Sequence, residues 1–271
     1  MSDADPATVQ NQLRPNSARV HTALLGGKDY YTADHAIAEK LARNKIAPAI
    51  AESRRFTRRA VGYLIDHHRL TQFVELGCGY PHTPNIHDIA GDRVETARTL
   101  YIDHDQLAVV HARALMTEHA THTAEIDLTD TTAVLDAITA VLDITAPTAL
   151  CLSGTAELID DAPKLVAALT SALPAGTWLV FTHITADVHG HHINSAAETL
   201  RAAGIAYYPR TYDDLASMLT GYRLHTPGLI APHRWRPELR SVGRYDHAVE
   251  PLHPVVCDLS AYAAIGQRCF T

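Results

Sequence analysis

With 271 residues, 46% hydrophobic and 20% charged, the chain can build a full α/β domain plus a modest extra element, and wholesale disorder is excluded. A formal charge of −7 and a pI near 6.2 argue against a nucleic-acid backbone or an anionic membrane surface as the main partner. No apolar run approaches the roughly 18–20 residues that span a bilayer, and the polar, acidic start MSDADPATVQNQL has no signal-peptide pattern, so a cytoplasmic protein is expected.

The first 70 or so residues read as helical. YYTADHAIAEKLARN and SRRFTRRAVGYLIDHH both repeat apolar residues at helical spacing, the second with arginines on its other face. The Gly26-Gly27 pair breaks the segment before them into a turn. From residue 72 the rhythm changes. Strands are expected at 72–76, 99–103, 122–126, 148–153 and 177–183, separated by the amphipathic stretches LAVVHARALMTEHA, TTAVLDAITAVLD, APKLVAALTSAL and NSAAETLRAAG. That succession predicts a parallel sheet covered on both faces. After the short helix RTYDDLASMLTG, two further strands at 222–230 and 259–268 lack a long helix between them, which predicts an antiparallel edge. The expected division is a helical cap over 1–70 and a Rossmann-like domain over 71–271.

Cysteines 78, 151, 257 and 269 are scattered and form no CxxC pair, so neither a disulfide framework nor a zinc site is indicated. The chain has 18 histidines, several of them in DVHGHHINSA. Gly190 loosens the spacing of Asp187, His189, His191 and His192, so a solvated loop leading into a helix is preferred to a metal site, and no metal is expected.

In a doubly wound sheet the ligand lies beyond the carboxyl ends of the strands, where strand order reverses. The first strand runs into FVELGCGYPH, whose Gly77 and Gly79 let the backbone approach a ligand closely. A dinucleotide fingerprint GxGxxG needs glycine at position 82, which is His82. Pro81 and Pro84 also delay the next helix, with Thr83 the expected N-cap and Pro84 the first helical residue. A dinucleotide is therefore disfavoured, and with it a nicotinamide-dependent oxidoreductase. Asp103 ends the second strand, where an acidic residue accepts from ribose hydroxyls, and His104 can lie against a base. Asp127, after the third strand, suits an exocyclic amine, while Asp130 and Asp127 also suit a helix N-cap. Near the ends of the fourth and fifth strands, Glu157, Asp160 and His183 are candidate bases, with structural or capping roles as the alternative.

Taken in order, PNSARVHTALLGGKDYYTAD, RRFTRRAVGYL, FVELGCGYPHTPNIHDIA, TLYIDHDQLAVVHARALM, LVFTHITAD, PGLIAPHRWRP and YAAIGQR resemble the actinobacterial S-adenosylmethionine-dependent methyltransferase family formerly known as a domain of unknown function. The resemblance implies an α/β fold, a Rossmann-like seven-stranded methyltransferase sheet with an N-terminal helical cap. It implies that Gly77 and Gly79 face the methionine portion of S-adenosyl-L-methionine, Asp103 the ribose, and Asp127-Leu128 the adenine. Arg19 and Tyr30 become lid contacts, with Arg19 suited either to the cofactor carboxylate or to a structural salt bridge within the cap. Glu75, Cys78, His104 and Ser153 complete the expected cofactor-binding set, and Glu157 and His183 are the catalytic candidates. In one place the chain departs from the family, which often has a Leu-His-Phe-like run after the fourth strand where this chain has Glu157 in TAELIDD. The expected activity is methyl transfer to a small-molecule acceptor with S-adenosyl-L-homocysteine released, and a homodimer is a candidate assembly. The alternative is a protein that binds the cofactor without transferring its methyl.

Overall fold

The computed structural model describes residues 13–117, 120–239 and 258–269. Its N-terminal part holds α1 (Ser17–Leu24), α2 (Thr32–Ala42) and α3 (Ile46–His68). The chain then alternates through β1 (Gln72–Leu76), α4 (Ile86–Gly91), β2 (Arg98–Asp103), α5 (Gln106–Leu115), β3 (Ala120–Glu125) and α6 (Thr131–Val141). It continues with β4 (Thr148–Ser153), α7 (Ala162–Ala172), β5 (Trp178–Ile184), α8 (Gly190–Ala202), α9 (Tyr212–Met218), β6 (Tyr222–Leu224) and β7 (Ala261–Arg268).

Because successive strand residues point to opposite faces, the near-continuous apolar runs of β1, β2, β4 and β5 demand cover on both sides. On one face Val74, Leu100, Leu150, Leu152 and Phe181 pack with Val134 and Ile138 of α6, Leu165 and Leu169 of α7, and Leu215 of α9. On the other, Phe73, Tyr101, Cys151 and Val180 pack with Phe56, Val61 and Leu64 of α3, Ile89 of α4 and Ala112 of α5. The strand order is β3-β2-β1-β4-β5-β7-β6, with β1 to β5 parallel and β7 antiparallel to both β5 and β6. The order reverses between β1 and β4. This is the seven-stranded α/β sheet that the sequence leads one to expect.

Two local expectations are corrected. The strand expected over 222–230 stops at Leu224, and the chain turns through His225 to Gly228 before Ile230 bridges to Ala263. Pro227 has no N–H to give the ladder, and Gly228 takes φ 90°, so the segment cannot continue as a strand. The expected antiparallel edge is present, with β7 and then β6 closing the sheet beyond β5. The helix read from SRRFTRRAVGYLIDHH begins seven residues earlier, at Ile46, because Ile46, Ala49 and Ile50 join a separate apolar cluster.

That cluster unites the N-terminal helices with α8: Val20, Ile37, Leu41 and Ile46 pack against Ile193, Ala197 and Leu200. Helix α3 thus has two roles. Its first turns support α1 and α2, and its later turns belong to the core of the sheet. A division at residue 70 therefore crosses a shared core, and α1 with the first turns of α3 lies over the strand ends.

The cover hangs on a buried ion pair. Arg19 Nε donates to Asp34 Oδ2 at 2.7 Å, with the two side chains 1% and 0% exposed. The same carboxylate accepts from Tyr31 N at 2.8 Å and, through Oδ1, from Asn16 N at 2.8 Å. Removing one partner of a buried pair leaves an uncompensated charge, which costs about 3–5 kcal/mol. Asp34→Asn should therefore lower the urea-unfolding free energy by about 3 kcal/mol. Glu39→Gln, which breaks the exposed His35–Glu39 contact, should change it by less than about 1 kcal/mol.

Candidate functional site

The end of β1 sets the floor of the site. Gly77 has φ 72° and Gly79 φ 60°, the left-handed region where side chains are strained. A Cβ on Gly77 would also lie 2.3 Å from Thr155 Cγ2, so no other residue fits there. The turn is held against β2: Gly77 N and Cys78 N donate to Ile102 O at 2.8 and 3.1 Å, and Gly79 N donates to Asp103 Oδ2 at 2.8 Å. The other Asp103 oxygen accepts from Asp105 N at 2.9 Å. Asp105 in turn caps α5 through Leu107 N and Ala108 N.

Above this floor lies a cavity of about 740 Å³, within the roughly 300–1,000 Å³ typical of small-molecule sites. It opens at the topological switch point between β1 and β4. Glu75, Gly77, Cys78, Gly79, Asp103, His104, Asp127, Leu128, Ser153 and Glu157 all line it, so the structure brings together ten of the thirteen residues expected from sequence. Asp127 forms an Asx turn, accepting from Thr129 N and Oγ1 at 2.9 and 2.8 Å. Those bonds hold its carboxyl below its ordinary pKa and keep it charged. Asp130 is the N-cap of α6, accepting from Ala133 N at 3.0 Å.

The remaining three lie outside the lining. Arg19 does not line the cavity: of its two readings, the geometry realises the structural salt bridge, with Asp34 beside it and Arg14 O accepting from Nη2 at 2.8 Å. Tyr30 also lies outside the lining and stacks on His35 with ring centroids 5.2 Å apart. His183 is fully buried behind the wall. Its Nδ1 lies 2.7 Å from Ile184 O, which makes Nδ1 the protonated nitrogen, and its Nε2 accepts from Arg210 Nη1 at 3.0 Å. Burial pushes its pKa down to about 3. With its lone pair committed to a guanidinium, the ring is a support and not a base.

The loop after the glycine turn departs from expectation as well. The N-cap is Asn85, not Thr83, and α4 begins at Ile86. Asn85 Oδ1 accepts from His82 N at 2.8 Å, and Asp88 Oδ2 accepts from Asn85 N at 2.6 Å, so the side-chain capping works from Asn85. The histidine-bearing stretch is likewise more ordered than expected: His189 is the N-cap residue of α8, and His191 and His192 lie in its first turn. Among the described residues, no group of three or more His, Cys, Asp or Glu gathers as a metal site.

Arg54 is the residue that sequence reasoning missed. Its helix reads by its apolar stripe, with the arginines on the other face and no site role indicated for them. Instead, Arg54 Nη1 lies 3.5 Å from Glu75 Oε1, and its Nη2 donates to His82 O and Asn85 Oδ1, both at 3.3 Å. Arg58, one turn on, donates to Pro84 O and His82 O at 3.0 Å. The signal available was the Arg54/Arg58 pair at i, i+4 spacing on a helix that precedes a glycine turn. Arg54 lines the cavity, together with Ser53, His21 and His82. Three buried polar atoms in this group have no hydrogen-bond partner among the described residues: Ser53 Oγ, Arg54 Nε and His82 Nε2. Burial, reinforced by the Arg54 charge, pushes both His21 and His82 down to about 4, so the two rings are neutral at physiological pH. Burial raises Glu75, against the opposing pull of Arg54 and Arg58.

The comparisons with known proteins agree with this geometry. A family described as S-adenosyl methyltransferase matches residues 3–267. A DUF574-family protein of Streptomyces avermitilis is 27% identical, with a TM-score of 0.83 over 95% of this chain and 99% of that one. A structure from Thermobifida fusca YX with a provisional methyltransferase label is 26% identical, with a TM-score of 0.85 over 99% of this chain and 100% of that one. The plantazolicin methyltransferase BpumL in complex with S-adenosylhomocysteine shares the fold at 10% identity and a TM-score of 0.54, over 93% of this chain and 95% of that one. No curated protein matches the chain. The protein is thus an S-adenosylmethionine-dependent methyltransferase, and the chain belongs to the S-adenosyl methyltransferase family.

Proposed function

We propose that the switch-point cavity holds S-adenosylmethionine along the β1 and β2 ends and passes its methyl to a small-molecule acceptor on the β4 side. The observation that carries this reading is the cradle at Gly77, where a Cβ would strike Thr155, joined through Asp103 to the acidic rim that suits an adenosine. The residues fit the group. Gly77 and Gly79 leave backbone room for a compact chain, Asp103 suits the ribose hydroxyls, and Asp127 with Leu128 suits the adenine amine and face. On the other side, Arg54 with its unpartnered Nε, flanked by Ser53 Oγ and His82 Nε2, suits a carboxylate. Neutral His21 and His82 add hydrogen-bonding capacity there without further positive charge.

The sulfonium supplies an already activated methyl carbon, so alignment and exclusion of water are the main tasks left to the protein. Helices α1 and α3 close the cavity from above with Ala18, Thr22 and Ile50. Of the candidate bases, Glu157 and Asp160 line it, Glu157 buried and Asp160 exposed. The size of the cavity and its apolar upper wall support a small molecule as acceptor, and the formal charge of −7 does not favour nucleic acid.

Calorimetric titration tests the cofactor reading. S-adenosylhomocysteine should bind with NAD showing no heat, and the reverse result would contradict the reading. Arg54→Met should weaken S-adenosylhomocysteine by about tenfold or more, the scale of one lost charge-assisted contact. It should leave 5′-methylthioadenosine, which lacks the amino-acid end, within about twofold. Asp103→Ala should weaken both ligands together, since it removes a ribose partner and frees the glycine turn.

A further inference from the structure

Glu157 is the buried ionisable group that the cofactor does not use. It is 1% exposed, lines the cavity, and its Oε2 has no hydrogen-bond partner among the described residues. The backbone N–H groups of Glu157 itself and of Ile184 favour the charged form of the carboxyl, against the burial that disfavours it. The lining on this side combines apolar groups, Leu158, Ile159, Ile184, Ala206 and the ring of Tyr208, with the charged Asp160, Asp161 and Lys164. An orphaned carboxyl oxygen in such a wall is destabilising unless a ligand satisfies it.

The carboxyl is also held in place. Arg210 donates to Ala156 O, Ile159 O and Asp160 O at 3.0, 2.9 and 2.6 Å, which fastens the turn that carries Glu157 from both ends. The backbone adds a link, with Tyr208 N donating to Glu157 O at 2.7 Å. His183, neutral and protonated on Nδ1, accepts from the same guanidinium. The arginine therefore positions Glu157 through its backbone.

Building on the proposed cofactor position, we infer that Glu157 Oε2 receives the proton of the methyl acceptor, and that the acceptor is a compact, largely apolar, neutral molecule bearing a weakly acidic hydroxyl or ring N–H. Charge decides between the ligand classes. A carboxylate acceptor would meet the Glu157, Asp160 and Asp161 charges, which outnumber the Lys164 cation on that side. An ammonium would have to approach the cofactor's sulfonium and carries no free lone pair. A neutral O–H or N–H satisfies Oε2 on binding, and the negative charge it develops is attracted to the sulfonium. The acceptor's proton goes to Glu157, its lone pair forms the bond to the methyl carbon, and the carbon–sulfur bond breaks with its electrons staying on sulfur. Products are the methylated acceptor and S-adenosylhomocysteine, and Glu157 returns its proton to water.

Other groups around the carboxyl are consistent with this role. Burial is the main cause that raises the Glu157 pKa to about 7, against a weaker pull from Arg210. The Tyr207 hydroxyl, buried and without a hydrogen-bond partner among the described residues, is pushed up by burial and by the Glu157 charge, so it stays protonated. A base near 7 is half ionised at physiological pH, where it can both take and release a proton.

The test uses the full chain saturated with S-adenosylhomocysteine and four one-ring probes (phenol, toluene, benzoate and benzylamine), with indole added as the N–H counterpart of phenol. Binding is read by ligand-observed NMR. Phenol or indole should bind about tenfold more tightly than toluene, benzoate or benzylammonium, as expected for a hydrogen bond to a charged acceptor. The preference should grow between pH 6 and 8 as Glu157 ionises, with toluene flat. Glu157→Gln should abolish both the preference and its pH dependence, and Glu157→Asp should restore part of each, while S-adenosylhomocysteine affinity stays within about twofold in both variants. Equal binding of benzoate or benzylammonium, or a preference that survives in Glu157→Gln, would overturn the inference. Failure of S-adenosylhomocysteine to bind the wild-type protein would instead overturn the cofactor reading, and the inference with it.

Discussion

One carboxylate holds the site together. Asp103 sits at the tip of β2 with its side chain 8% exposed and divides its two oxygens between Gly79 N and Asp105 N. The first bond fixes the glycine turn after β1, and the second fixes the entry to α5. A buried carboxylate with fewer donors would be costly, so the turn and the helix entry are bound to adopt the geometry that supplies them. Since β1 and β2 are parallel neighbours in register from Gln72–Arg98 to Leu76–Ile102, their ends emerge side by side. The floor of the cavity follows from that register.

The polarity of the cavity follows from what lies over this floor. Near the glycine turn the lining sets the Arg54 guanidinium beside the carboxylates of Glu75 and Asp103, with His21 and His82 held neutral. Beyond β4 it is acidic and apolar, with Glu157 among Leu158, Ile159 and Ile184. One long helix, α3, makes the first environment, and one short turn fastened by Arg210 makes the second. A cofactor with a carboxylate at one end and a reactive sulfonium near the middle matches that gradient. Helix α3 is also part of the sheet's own core through Phe56, Val61 and Leu64, so Arg54 is carried on a rigid element.

Much of this was legible in the sequence because period and strand ends are local signals. The apolar runs at 72–76, 148–153 and 177–183 are strands within a residue of their expected bounds, and the residues just beyond them line the cavity. What sequence could not supply were partners distant along the chain. Arg19 had two chemically equal uses until the fold placed Asp34, fifteen residues on, against it. His183 looked like a base because nothing local shows that Arg210 occupies its lone pair. Arg54 carries no local signal of its contacts, because its partners His82, Asn85 and Glu75 reach it only after the β1 turn has formed. The third glycine absent at position 82 is now explained differently: His82 fills space beneath the cap, its Cε1 lying 2.9 Å from where a Cβ of Gly27 would stand.

The central claim is that Asp103 and the Gly77–Gly79 turn receive the two halves of one cofactor. A crystal structure of the protein grown with S-adenosylhomocysteine tests it directly. The account predicts the ribose hydroxyls on the Asp103 carboxylate, the amino-acid end over Gly77 and Gly79 with its carboxylate at Arg54, and open space beside Glu157. A ligand lying elsewhere, or one whose ribose does not meet Asp103, would contradict it.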